Sequence, residues 1–138
     1  MNDRPFGSGI PLVVDTSAWA RHRDPGVAER WQATLRAGLV ASCPVAALEI
    51  LASARDEAGH AALDGALGAL PQAPVTATVC TAALGASRQL RGSRRLPAAD
   101  YLIAAAAAER GFGVLHLDSH YDTLATVLGF LSVRLDRD

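Results

Sequence analysis

Four acidic residues stand where apolar chain should be buried. Asp15 ends the run Leu12-Val13-Val14, Asp118 ends Gly113-Val114-Leu115-His116-Leu117, Glu49 interrupts the stretch from Val45 to Ala52, and Asp100 leads into Tyr101-Leu102-Ile103-Ala104. Burying an unpaired carboxylate costs several kcal/mol, so each placement needs a cause. Local causes exist: Asp15 and Asp118 each follow a strand and precede a helix, where aspartate serves as an N-cap. Asp100 falls in the first turn after Pro97, where the helix dipole favours negative charge. Glu49 is explained locally if the strip it shares with Val45, Ala52 and Ser53 faces solvent. Together, however, two strand ends and two helices flanking one crevice all supply acids, and like charges held close repel unless something positive intervenes. The chain has no lysine, and no arginine adjoins any of the four. A divalent cation is the economical partner. Oxygen donors suit the hard ions Mg²⁺ and Mn²⁺, and such ions polarise a phosphoryl oxygen, acidify the attacking water and steady the leaving oxygen, which is the chemistry of phosphodiester hydrolysis.

The elements that must position these acids follow from pattern. Short apolar runs at Pro11 to Val14, Leu39 to Cys43, Val75 to Val79, Gly113 to Leu117 and Phe130 to Leu135 predict about five strands, the last at an edge. Between them lie helices. Asp15-Thr16-Ser17 offers capping residues before Ala18, and Asp24-Pro25-Gly26 opens a helix with Val27, Trp31 and Leu35 on one face. Pro44 suits the first turn of a helix reaching about Ala54, Asp56 to Leu70 repeats the helical pattern, and Thr81 to Arg91 is helical by content. Ala98 to Arg110 is a strong helix former closed by Gly111, and Ser119 to Leu128 a further helix. Alternating strands and helices imply an α/β fold, a three-layer α/β/α sandwich around a mostly parallel central sheet. In such a sheet the carboxyl ends of the strands line the ligand crevice, where Asp15 and Asp118 converge.

At 138 residues the chain fits a single domain over residues 1–138, with residues 1–9 as a loose lead-in. Its formal charge of −1 gives no global attraction to nucleic acid, so any such contact needs a local basic patch. All 13 basic residues are arginine, which excludes chemistry that requires a lysine amine, including that of a receiver-type phosphorylation domain. A phosphatase of the haloacid dehalogenase kind would want an aspartate where Ser17 stands, and no phosphate-binding glycine loop follows a strand. Cys43 and Cys80 sit in apolar surroundings and read as buried reduced thiols of a cytoplasmic protein. A zinc set built from them with His116 and His120 lacks any close cysteine pair. The apolar run Tyr101 to Ala108 is far short of the ~20 residues needed to span a bilayer, so no membrane is expected.

Leu12-Val13-Val14-Asp15-Thr16-Ser17-Ala18, Glu49 in its apolar helix, Asp100-Tyr101-Leu102-Ile103-Ala104-Ala105-Ala106 and Leu115-His116-Leu117-Asp118-Ser119-His120-Tyr121-Asp122 resemble, in order and spacing, the motifs of PIN-domain ribonucleases, most closely the VapC-type toxins of toxin-antitoxin systems. The resemblance implies a Mg²⁺- or Mn²⁺-dependent endoribonuclease whose acidic cluster is Asp15, Glu49, Asp100 and Asp118, supported by the hydroxyl of Thr16 or Ser17. It also implies a cognate antitoxin that covers the site, and a homodimer. Family members often carry an aspartate two residues after the fourth acid; His120 stands there instead, either acting through a metal-bound water or making this position irrelevant, with a supporting role the favoured reading, while Asp122 is expected on the helix surface. RNA would need positive charge near the acids. The loop Arg91-Gly92-Ser93-Arg94-Arg95 is the candidate, since it closely precedes Asp100, with a solvated loop that keeps the protein soluble as the other reading. Trp19 and Trp31 fall at apolar helical positions that suit core packing, with base stacking as the other use for them. The reading from a different class is a catalytically inactive PIN-like fold that binds a partner or RNA.

Overall fold

The computed structural model describes residues 3–137. Its centre is β1 (Leu12–Val14), three apolar residues buried on both faces. Val40–Ala41 (β2) pairs with it on one side and Gly113–His116 (β3) on the other, and Ser132–Arg134 (β4) lies outside β3, giving the order β2-β1-β3-β4. Every pairing is parallel, with Val13 opposite both Ala41 and Val114. Because successive strand residues point to opposite faces, Val13, Ala41 and Val114 enter one hydrophobic cluster, and Leu12, Val14, Val40 and Leu115 the other. Both faces are covered, as a parallel sheet requires.

On the second face lie α1 (Thr16–Trp19) and α2 (Ala28–Arg36). On the first lie α3 (Pro44–Leu51), α5 (Ala77–Gln89), α6 (Ala98–Arg110) and α7 (His120–Leu128), with α4 (Glu57–Gly68) packed against α3. Ile103, Ala104, Ala105, Ala106 and Ala107 of α6 are all buried, so the middle of this helix is enclosed on every side, which alanines permit by letting neighbours approach closely. Pro97 stands as its N-cap, and Gly111 ends it at φ 72°, a left-handed conformation that glycine adopts without strain. Gly113 serves another purpose. A Cβ there would lie 2.6 Å from the Leu131 carbonyl oxygen and 2.7 Å from Leu12 Cδ2, so the spacing of β3 between its neighbours depends on hydrogen at that position.

Among the described residues the sheet has four strands rather than about five. Val75 to Val79 does not form one. Thr76 takes an extended N-cap conformation, its hydroxyl accepts the Val79 N–H at 3.1 Å, and the chain turns into α5 at Ala77; local capping outweighs a β-signal already diluted by threonine and alanine. Contact with the sheet in this region is the parallel bridge Ser42–Gln72. The face of α2 also differs from expectation: Trp31 is buried, but Leu35 is 38 % exposed, and Arg30 and Thr34 point inward instead. They are drawn in by the N-terminal segment. Phe6 is fully buried, its N–H donates to Thr34 Oγ1 at 2.8 Å, and the Arg30 guanidinium lies 4.0 Å over its ring. Residues 1 and 2 of the expected lead-in lie outside the described residues. Cys43 is buried as expected. Cys80 is exposed, because α5 turns Val79, Ala83 and Ala86 inward and Cys80 sits one step off that stripe. Among the described residues, no helix is long and apolar enough to cross a membrane.

Candidate functional site

Parallel strands bring their carboxyl ends to one edge of the sheet, and the site is built there. Asp15 follows β1, its N–H donating to the Leu115 carbonyl of β3 at 3.0 Å. It is 6 % exposed and held by three donors. The N–H and hydroxyl of Ser17 reach its Oδ2 at 3.1 and 2.6 Å, and the hydroxyl of Tyr121 reaches its Oδ1 at 2.7 Å. The Ser17 hydroxyl also accepts the Leu117 N–H at 3.0 Å, so one side chain ties the ends of β1 and β3 together while orienting the first acid. Asp15 is thus an N-cap and a member of the cluster at once. The capping reading and the cluster reading describe the same residue.

Asp100, in the first turn of α6, is 8 % exposed. Its Oδ1 lies 3.3 Å from the Tyr121 hydroxyl and its Oδ2 lies 2.8 Å from His120 Nδ1. Asp118 follows β3; its Oδ1 accepts the His120 N–H at 3.0 Å and its Oδ2 lies 3.0 Å from the same His120 Nδ1. A single ring nitrogen is therefore shared by two carboxylates from distant elements. Asp100, Asp118 and His120 each present one donor atom, and the three atoms lie within 4.8 Å of one another. Asp15 joins this group through Tyr121. Glu49 stands on the exposed side of α3, with the Thr16 hydroxyl 3.5 Å from its Oε1, the outer limit of a hydrogen bond.

Electrostatics reflect the crowding. Burial pushes the Asp100 carboxyl above its usual range, the charges of Asp15 and Asp118 push the same way, and the bond to His120 opposes them. Glu49 is raised by burial and then by Asp15 and Asp100, with Thr16 pulling the other way. Upward shifts caused by burial and by neighbouring carboxylates are what crowded acids show before a positive charge is placed among them. Carboxylate oxygens with one imidazole nitrogen, gathered within a few ångströms, are a donor set that fits a divalent cation.

Two residues of the site escaped the sequence reading. Tyr121 is fully buried, and burial followed by the charges of Asp15 and Asp100 drives its pKa far upward, so it remains a donor. Its signal was a tyrosine in the first turn after Asp118, because a buried tyrosine hydroxyl must find a partner. His116, also fully buried, packs on Tyr121 with ring centroids 5.1 Å apart. Its Nδ1 accepts the Asp118 N–H at 3.1 Å and its Nε2 lies 2.7 Å from Ser132 Oγ, which donates to Asp122 Oδ1 at 2.8 Å. Burial lowers its pKa, consistent with a neutral ring that accepts at Nδ1 and fixes the turn carrying Asp118. Asp122 belongs to this outer network and is on the surface, as expected.

The basic loop is exposed, and it reaches the site at one point: Arg94 donates to Ser119 Oγ at 2.8 Å, one residue from Asp118. Arg91 turns back to the Arg88 carbonyl, and Arg95 lines an apolar groove beside Cys80 and Leu84. Trp19 and Trp31 pack edge to face at 5.8 Å with His22 against both, which is core packing.

The model of the PIN domain family matches residues 12–127. Ribonuclease VapC18 of Mycobacterium tuberculosis is 40% identical over 123 residues, covering 86% of this chain and 90% of that protein. Ribonuclease VapC51 of the same organism is 38% identical over 125 residues, covering 87% and 89%. Among solved structures, DNA-bound VapBC from Salmonella typhimurium superposes with a TM-score of 0.72 at 15% identity over 91% of this chain and 98% of that one, a likeness of fold.

Proposed function

This chain belongs to the PIN domain family, among its VapC ribonucleases, and on that premise we propose that it is a Mg²⁺- or Mn²⁺-dependent endoribonuclease, the toxin of a toxin-antitoxin pair. The observation that carries this reading is the convergence of Asp100, Asp118 and His120 within 4.8 Å, with Asp15 tied to them through Tyr121. Asp15, Asp100 and Asp118 would hold such an ion, with Glu49 of α3 as the fourth acid of the set. A Mg²⁺ or Mn²⁺ ion bound here supplies Lewis-acid stabilisation of phosphoryl charge and a more acidic attacking water.

The chain's own residues do the rest. Ser17 and Tyr121 fix both oxygens of Asp15, so that carboxylate cannot rotate away when RNA approaches. Burial and neighbouring carboxylates raise Asp100 and Glu49, and a bound cation would offset that crowding by favouring their ionised forms. Arg94, beside Ser119, would set an RNA phosphate against the acids, while Arg91 and Arg95, turned toward the Arg88 carbonyl and the groove beside Cys80, would meet RNA only farther from them. The partners of this function are an RNA substrate, a cognate antitoxin and a second copy of the chain. Its place is the cytoplasm, and residues 1–138 act as one domain.

The test is cleavage of total cellular RNA by the purified protein with Mn²⁺ added after chelation. Asp15→Asn is expected to lower cleavage by more than about a hundredfold, the upper range for loss of a group that merely supports a metal ligand. Cleavage at the parent rate would remove Asp15 from the machinery. A parent protein that binds RNA and never cuts it would make the fold a binding module.

A further inference from the structure

We infer that His120 is itself a ligand of the metal, through Nδ1, and that the resulting carboxylate-imidazole set selects Mn²⁺ over Mg²⁺. The inference rests on the metal-centre reading above and specifies it. His120 Nδ1 points into the cluster, 2.8 Å from Asp100 Oδ2 and 3.0 Å from Asp118 Oδ2. Those spacings have two meanings. They are hydrogen-bond lengths, and they also match adjacent corners of an octahedron with metal-ligand bonds of about 2.1 Å, which lie roughly 3.0 Å apart. One hydrogen on Nδ1 cannot satisfy two carboxylates fully, whereas a cation can serve both of them and the nitrogen together. The ligand atoms would then stay close to where they already stand.

The site is built to keep this nitrogen in place. The His120 N–H donates to Asp118 Oδ1, which turns Oδ2 of the same carboxylate toward the ring. Asp118 is in turn fixed by His116 Nδ1 at its own N–H. His120 opens α7, so the backbone bearing it is set by the helix that also carries Tyr121. A histidine that served only through a water would not need its nitrogen in direct contact with two acids. Chemistry then decides the ion. Mg²⁺ prefers oxygen donors and resists exchanging a water for nitrogen, while imidazole is a good ligand for the later divalent ions and Mn²⁺ accepts both donor types.

The experiment is electron spin-echo spectroscopy of Mn²⁺ bound to the parent protein, with calorimetric titration of MnCl₂ and MgCl₂ into the parent, His120→Asp and His120→Gln. The expected result is a nitrogen modulation in the parent that both variants lose, Mn²⁺ binding at least about tenfold tighter than Mg²⁺, and a His120→Asp variant in which that ratio shrinks because Mg²⁺ now binds better. Mn²⁺ binding to the parent without nitrogen modulation overturns the inference and leaves His120 as a positioning residue, with the metal centre intact. Failure of both ions to bind the parent overturns the metal-centre reading along with it. The parent spectrum decides the matter without any variant having to fold.

Discussion

Replacing Tyr121 with phenylalanine isolates one hydroxyl at the heart of the site. Tyr121 is fully buried and phenylalanine fills almost the same space, so the substitution opens little cavity and leaves the contact with His116 in place. What disappears is the 2.7 Å bond to Asp15 Oδ1 and the dipole lying 3.3 Å from Asp100 Oδ1. A hydrogen bond to a charged group contributes roughly 1.5–3 kcal/mol, and Asp15, only 6 % exposed, has little water with which to replace it. Unfolding entropy of roughly 2.1 cal/mol/K per residue over 138 residues is about 0.29 kcal/mol/K, so a loss of about 2 kcal/mol lowers the melting temperature by about 7 °C. The assay is thermal unfolding by circular dichroism in chelator and again in saturating Mn²⁺. The deficit is expected in full in chelator and reduced with Mn²⁺, because the ion gives Asp15 and Asp100 another positive partner. A variant that melts within about 1 °C of the parent in chelator refutes the claim that this hydroxyl steadies the acids.

Three further outcomes follow from the geometry. Asp100 and Glu49 are raised above the usual carboxyl range, so just above that range the folded chain binds more protons than the unfolded one, and stability in chelator must fall as pH rises through the window between ordinary and raised values. Urea titrations from acid to neutral pH check this, and Asp100→Asn should flatten the slope while abolishing stabilisation by Mn²⁺. Gly113→Ala should destabilise the fold by about 2 kcal/mol or more, since the obstructing Leu131 oxygen is backbone and cannot swing aside; denaturant melting reads it, and a change under about 0.5 kcal/mol contradicts the packing argument. Arg94→Ala should weaken RNA binding and reduce the slope of log affinity against log salt by about one, with Mn²⁺ affinity unchanged in calorimetry.

The sequence carried the acids because their positions broke local rules: Asp15 and Asp118 each closed a buried strand, and parallel strands can end only at one edge. That argument needed no side-chain detail. Tyr121 and His116 were hidden for the opposite reason, since each fits an apolar pattern as well as a polar one, and their hydrogen-bond partners become visible only once α7 is laid against β1 and β3. His120 lay between the two cases. Its position was conspicuous, but its contact with both Asp100 and Asp118 depends on how α6 and α7 meet. The missing fifth strand shows a capping threonine prevailing over a weak β-run, and Leu35 shows a helix face set by Phe6, a residue distant in sequence that no periodicity could anticipate.

The bond from the Leu117 N–H to Ser17 joins residues 100 positions apart, and with it the first acid acquires its fixed orientation. During synthesis Asp15, Glu49 and Asp100 therefore leave the ribosome as ordinary, unarranged carboxylates. Only with β3 beside β1 and α7 against both do Asp15 and Asp100 meet at the Tyr121 hydroxyl. A chain cut short before β3 and α7 would lack the Leu117 N–H that tethers Ser17 and the Tyr121 hydroxyl that reaches Asp15.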